Sequence, residues 1–183
     1  ARDVDGYVVG GRAQQWLGEN VRVGVTALKE KTASADQKMA GADVHVRYSD
    51  GTYVEAEVAR SKGPGFGASS SVDGGLTIQN NATVGTTKSA NAYRAEAHVD
   101  LGDVTDGKTK GEVIARIEDY QKGYSTPTTD AAENRTLWGV EGNVELSEGS
   151  KAAVTYSEER VGNGARDKQI RGKVQARLSE HVS

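Results

Sequence analysis

A chain of 183 residues with 36% hydrophobic content and a mean hydropathy of -0.62 has the length of one all-β domain, and it holds no run of about 20 apolar residues, so a bundle of membrane helices is excluded. Lys+Arg 23 against Asp+Glu 26 gives a net charge of -3 with both signs mixed along the chain, which leaves no basic stripe for phosphates and argues against a nucleic-acid partner. The absence of cysteine removes disulfides, thiolate metal sites and thiol nucleophiles, and 3 scattered His argue against a dedicated metal site, so no metal or cofactor is expected.

In chain order, Tyr7 to Leu17 reads as a first strand with blurred alternation, closed by a tight turn at Gly18, Glu19 and Asn20. Val23, Val25 and Ala27 then share a face opposite Arg22, Gly24 and Thr26, and a polar loop covers about Lys31 to Lys38. Ala42, Val44, Val46 and Tyr48 form the next apolar face, opposite Asp43, His45 and Arg47. Ser49-Asp50-Gly51-Thr52 carries the Asp-Gly signal of a two-residue hairpin, from which Val54, Ala56 and Val58 return opposite Glu55 and Glu57. A Gly/Ser/Thr/Asn-rich stretch from Lys62 to Asn91 follows, read as a long loop that holds, from Gly75 to Gly85, a small hairpin around Asn80-Asn81.

Tyr93, Ala95, Ala97, Val99 and Leu101 alternate with Arg94, Glu96, His98 and Asp100, and a somewhat longer turn runs from Asp103 to Lys110. Val113, Ala115 and Ile117 oppose Glu112, Arg116 and Glu118; this segment also suits a helix face, and its neighbours decide for a strand. After a polar loop from Gln121 to Arg135, the stretch Thr136 to Arg160 is the clearest unit. Trp138, Val140, Gly142, Val144 and Leu146 face one way, Gly139, Glu141, Asn143 and Glu145 the other, and Ala152, Val154 and Tyr156 resume the apolar face after the turn at Ser147 to Ser150. A Gly-Asn-Gly loop at Gly162 to Gly164 leads to Ile170, Gly172, Val174, Ala176 and Leu178, alternating with Arg171, Lys173, Gln175 and Arg177.

Three regularities follow. Most strands run about ten residues, against a usual five or six in soluble sheets, and about the length a tilted strand needs to cross hydrocarbon. Short turns alternate with longer loops, so in an up-and-down meander each kind gathers at one end. Aromatics favour strand ends, with Trp16, Tyr48 and Tyr53 near short turns and Tyr93, Tyr120 and Trp138 near long loops. The apolar positions are mostly Val, Ala and Gly, with 23 Gly and 1 Phe in the chain, an inventory that fills a dry core poorly but suits fluid lipid tails.

These residues together resemble the transmembrane β-barrels of Gram-negative outer membranes, across nearly the whole chain. The resemblance is architectural and names no subfamily. It implies an antiparallel up-and-down meander of about 8–10 strands closing into a barrel, as a single domain over 1–183 or as part of a larger barrel. Its partners are outer-membrane lipid and further strands or domains of the same parent protein. The start at Ala1 on polar sequence, an odd strand count of about nine and the lack of a terminal aromatic all point to a mature or excised piece. The aromatics named above are expected at the membrane interfaces. Glu55, Glu57, Arg94, Glu96, His98, Asp100, Arg116, Glu118, Glu141, Glu145, Arg171, Lys173 and Arg177 are expected to line the lumen, with pairs such as Arg94 with Glu96 or Arg116 with Glu118.

No enzyme is expected. His98 beside Glu96 and Asp100 lacks a nucleophile, and no Ser sits in a Gly-x-Ser-x-Gly elbow. Asp100, Asp103 and Asp106 have oxygen-ligand spacing without the closing Glu of a calcium loop, and Gly63-Pro64-Gly65-Phe66-Gly67 lacks the Lys and helix of a phosphate loop. The basic row Arg171, Lys173 and Arg177 either bridges to Glu55 and Glu57 or Glu141 and Glu145, or biases ion passage. The leading expectation is a passive channel or the membrane anchor of a larger surface protein in the bacterial outer membrane. The alternative is a soluble β-barrel or sandwich that binds a small apolar ligand or a partner protein.

Overall fold

The structure is a computed structural model that describes residues 7–31, 36–64, 88–126 and 129–176, with the backbone of 69–70 and 79–80. Nine long strands form one antiparallel meander: β1 (Tyr7–Leu17), β2 (Val21–Lys31), β3 (Asp36–Arg47), β4 (Tyr53–Gly63), β7 (Lys88–Asp100), β8 (Gly111–Tyr120), β9 (Arg135–Ser147), β10 (Ser150–Val161) and β11 (Ala165–Gln175). Each pairs only with its neighbours in the chain order of the sheet, so no crossover occurs and the period-2 pattern of each strand is carried intact into a common pair of faces. β1 and β11 are the sheet's two edges and are not paired with each other, so the sheet is open rather than closed into a barrel. Between β4 and β7, β5 (Ser69–Ser70) pairs with β6 (Gln79–Asn80). Asn80 therefore lies in a strand, not at the tip of a hairpin around Asn80-Asn81. The remainder of the 62–91 loop lies mostly outside the described residues.

At one end, the turns are tied to one another. Asn20 Nδ2 donates to the carbonyl of Arg47 and Arg47 Nε to that of Glu19, each at 2.8 Å. The Asp100 amide donates to the Gly51 carbonyl at 3.0 Å. The two-residue turn between β9 and β10 needs a left-handed backbone, supplied by Gly149 at φ 81°. One turn of helix, α1 (Leu101–Val104), takes Leu101 out of the strand in which its alternation places it and leads into the expected turn; Asp100 ends β7 and caps the helix by accepting from the Gly102 amide at 2.6 Å.

The opposite end departs from the alternation of short and long connections. The 64–87 and 121–134 connections are long, but β10 and β11 are joined by the three residues Gly162, Asn163 and Gly164, and β2 and β3 by 32–35. The 121–134 loop folds into a small hairpin, with Gly123 N donating to Ala131 O and Ala131 N to Tyr124 O, both at 2.8 Å. It lies on the charged face of the sheet. Tyr124 packs with Ala59, Ala90, Ala92 and Ala131 against Tyr120, and the Ser125 amide donates to Ser61 Oγ at 3.0 Å. This is the buried apolar cluster among the described residues.

Candidate functional site: a charged face and an apolar face

The cross-strand register sorts the side chains into two faces, because residues directly opposite share a face. One transverse row runs Gln14, Gly24, Asp43, Glu57, Arg94, Glu118, Leu137, Glu159 and Asp167. The next on the same face runs Trp16, Arg22, His45, Glu55, Glu96, Arg116, Gly139, Ser157 and Gln169. Between them on the other face lies Gln15, Val23, Val44, Ala56, Ala95, Ile117, Trp138, Glu158 and Lys168. Toward the short turns this second face continues with Leu17, Val21, Val46, Val54, Ala97, Ala115, Val140, Tyr156 and Ile170.

Burial does not follow hydropathy. On the charged side Asp43 is 7%, Gln37 2% and Ser61 1% exposed, while on the apolar side of interior strands Val25 is 59%, Val154 55%, Val54 52% and Ile117 48% exposed. A soluble sheet does the reverse. The apolar face is also continuous: grooves of about 530, 590 and 510 Å³ run along it, lined respectively by residues such as Ala42, Val58 and Ile117, Val9, Ala27 and Ala40, and Val113, Val144 and Val154.

The charged face is knitted by ion pairs across strands. Arg12 meets Asp43 at 2.9 Å, and a Cβ on Gly24 would lie 2.3 Å from Asp43 Oδ1, so the glycine opposite makes room for that carboxylate. Glu55 receives both Arg22 at 3.5 Å and His45 at 3.2 Å. Arg94 bridges Glu96 at 3.1 Å and Glu118 at 3.9 Å; Tyr53 and Tyr120 hydroxyls reach Glu96 and Glu118 at 3.3 and 2.8 Å. Arg116 pairs with Glu141 at 3.9 Å rather than with Glu118, which Arg94 already holds. His98 Nε2 lies 2.8 Å from Glu112, whose other oxygen accepts from Asn143 at 2.7 Å. Glu57 joins Glu55, Arg94 and Glu96 around a small polar recess.

Glu141 and Glu145 share this face on β9, and Arg171 and Lys173 share it on β11, where the register sets Arg171 opposite Thr155 and Lys173 opposite Ala153. The expected bridges from this row to Glu55 and Glu57 do not form, because β11 is an edge strand and β4 is separated from it by β7, β8, β9 and β10. Arg177 lies outside the described residues. Asp100 is spent on capping α1, so it serves the turn rather than the wall.

Aromatics divide between the faces. Tyr93 and Trp138 stand with the apolar residues and Tyr48 follows β3 fully in the open, whereas Trp16, Tyr53 and Tyr120 share the charged face. An interfacial ring must stand on the lipid-facing side, so these three do not suit that role. Trp16 and Tyr53 instead build a ladder with histidines: Trp16 to His45 at 6.1 Å, His45 stacked on Tyr53 at 4.9 Å, and Tyr53 edge-on to His98 at 5.1 Å. Arg47 caps it over Trp16 at 4.6 Å. The ladder is invisible along any one strand, because its members come from β1, β3, β4 and β7.

Among the described strand residues three carboxylates break the pattern: Asp36 pairs with Lys29 at 3.4 Å, Asp119 accepts from the Thr136 hydroxyl at 2.7 Å, and the third is Glu158. Glu158 stands on the apolar face, yet it is enclosed by Arg166 at 2.7 and 2.9 Å, Arg160 at 2.8 Å and the Tyr156 hydroxyl at 3.0 Å, next to Trp138. Paired in this way, it presents no bare charge to an apolar medium.

Among the described residues no group of His, Asp and Glu is placed to hold a metal ion. Asp103, from the oxygen-spaced trio, accepts instead from the hydroxyls of Ser49 and Thr52 across the turns. Those hydrogen bonds hold its carboxyl below the usual range. The group is therefore charged and bonded at neutral pH, and its contribution is complete above the unfolded value of about 4 and fades as pH falls through the lower folded value. Protection of the 48–52 and 101–105 amides, taken as the observed exchange rate against the intrinsic rate at each pH, is accordingly expected to fall on acidification below about pH 4, and Asp103→Asn to remove that dependence.

No family model matches this chain, and no curated protein or solved structure matches it.

Proposed function

We propose that the chain is an integral outer-membrane β-barrel protein or a segment of one, with its apolar face on lipid and its charged face around water, serving as a passive channel or as the membrane anchor of a larger surface protein. The observation that carries this reading is the division of the faces: ion-paired charges on one side of the sheet and Val, Ala and Ile exposed on the other. The outward residues Trp138 to Leu146 on β9 span roughly 27 Å at about 3.4 Å per residue, or about 20 Å along the normal at a tilt of ~40°, close to the ~25 Å apolar band of such barrels.

Closure satisfies the edge backbone groups that lipid cannot. In a nine-stranded antiparallel meander β1 and β11 run the same way, so antiparallel closure takes an odd number of further strands between them. Those strands are the partner this reading requires, from the same parent protein. Within the lumen the acidic wall of Glu55, Glu57 and Glu96 and the basic row of Arg171 and Lys173 lie on different strands, and the 121–134 loop narrows the space over the charged face.

The test is folding with and without lipid. Purified chain is examined by size-exclusion chromatography and circular dichroism in plain buffer, then refolded into vesicles. Folding only with lipid, with resistance to carbonate extraction, supports the proposal, and single-channel conductance then separates channel from anchor. A compact β-rich monomer in plain buffer overturns it, and the apolar grooves are then a core or a ligand cavity.

A further inference from the structure

We infer that Lys29, Lys38 and Lys62, with Arg60, bind the phosphate of an anionic lipid whose acyl chain lies in the apolar groove below them. The inference rests on the membrane reading above and adds a specific lipid contact to it.

Lys29, Lys38 and Lys62 are Cα partners on β2, β3 and β4, so three ammonium groups stand side by side in one transverse row of the outward face. Like charges directly opposite destabilise a sheet. Asp36 offsets Lys29 at 3.4 Å, while Lys38 and Lys62 make no ion pair among the described residues. Arg60, one row closer to the apolar band, is held by a hydrogen bond from its Nε to the neutral Ser89 Oγ at 3.0 Å and makes no ion pair among the described residues. A phosphate placed between these side chains removes the repulsion and accepts charge-assisted hydrogen bonds from each.

The same residues close one end of an apolar groove of about 590 Å³, whose other outward lining includes Val9, Gly11, Ala27 and Ala40. Cationic rim and apolar trough lie in the order of a lipid's headgroup and tail. The placement is one-sided. At the short-turn end the outward positions are Leu17, Val21, Val46, Val54, Val99, Val113, Val144 and Val174, without a charged side chain among them. A free anion would have no use for the groove, and a peptide would have no need of the clustered cations.

The full chain, refolded in phosphatidylcholine vesicles and extracted in octyl glucoside, is titrated with dioleoyl phosphatidic acid or phosphatidylcholine, and retained lipid is counted by native mass spectrometry. Phosphatidic acid is expected to bind at about tenfold lower concentration than phosphatidylcholine. Lys38→Gln with Lys62→Gln should abolish that difference without loss of folding, since it relieves a like-charge pair. Lys108→Gln with Lys110→Gln, at the opposite end, should preserve it. Equal retention of the two lipids, unchanged preference in the Lys38/Lys62 variant, or displacement of the lipid by inorganic phosphate would each overturn the inference. A chain that inserts but shows no preference sinks this inference alone, whereas one that never inserts sinks the membrane reading with it.

Discussion

Val140→Arg is expected to cost about 2–4 kcal/mol of folding free energy in phosphatidylcholine vesicles, the penalty for a guanidinium near the bilayer midplane of a barrel. Val140 lies mid-strand on β9, flanked by Ala115 and Tyr156, and is 38% exposed. If that exposure were to water, a long cationic side chain would be tolerated within about 0.5 kcal/mol. A residue of the neighbouring strand β10 on the opposite face offers the control. Thr155→Arg, between Glu141 and Arg171 on the charged face, should change stability by less than about 1 kcal/mol. Urea titrations of both variants in the same vesicles compare the two faces in one medium, so a general cost of adding Arg cancels.

Tyr124→Ala should be the most damaging truncation, at about 3 kcal/mol by analogy with other large aromatic-to-Ala changes in packed sites. Tyr124 is 5% exposed, packs at 5.9 Å ring to ring on Tyr120, and points its hydroxyl at Met39 Sδ, 3.9 Å away. Burial pushes its phenol pKa up, in keeping with that enclosure. The alanines around it, Ala59, Ala90, Ala92 and Ala131, are too small to close over the gap. Loss of the ring should also loosen the 121–134 loop, which is otherwise held by the Ser125 amide on Ser61 and, at its base, by hydrogen bonds between Gln121 and Asn91. In the channel form of the proposal, conductance rises along with the loss of stability, and a planar-bilayer recording measures both the step size and its noise.

Strand positions were largely legible in the sequence, because period-2 alternation belongs to each strand by itself. Tyr7 to Leu17 and the turn at Gly18 to Asn20 coincide with β1 and its turn. The Asp-Gly pair does lie between β3 and β4, but the connection is the five residues 48–52 rather than a two-residue hairpin, and Gly51 is not in the left-handed region such a turn requires; the Ser49 hydroxyl, accepting from the Gly51 and Thr52 amides, shapes it instead. What depends on a neighbour was not legible. Arg116 takes Glu141 on the next strand, not Glu118 two residues away, because Arg94 and Tyr120 already occupy Glu118. Trp16 and Tyr53 sit near strand ends as interfacial aromatics do, yet parity assigns them to the charged face, where His45 stacks between them. Counting parity from Val23 and Ala56 would have exposed this. Tyr124 gave no signal at all. It lies in a polar loop, and only the fold of that loop onto the sheet makes it the centre of the buried cluster.

The central claim is that the charged face meets water and the apolar face meets lipid. A chain without cysteine allows single cysteines to be placed one at a time along β9, at Trp138, Val140, Gly142 and Val144 and at the alternating Gly139, Glu141 and Asn143. Each variant is refolded into vesicles and treated with a membrane-impermeant maleimide. The account predicts labelling at 139, 141 and 143 and protection at 138, 140, 142 and 144. Uniform labelling, or protection of the charged-face set with labelling of the other, would contradict it.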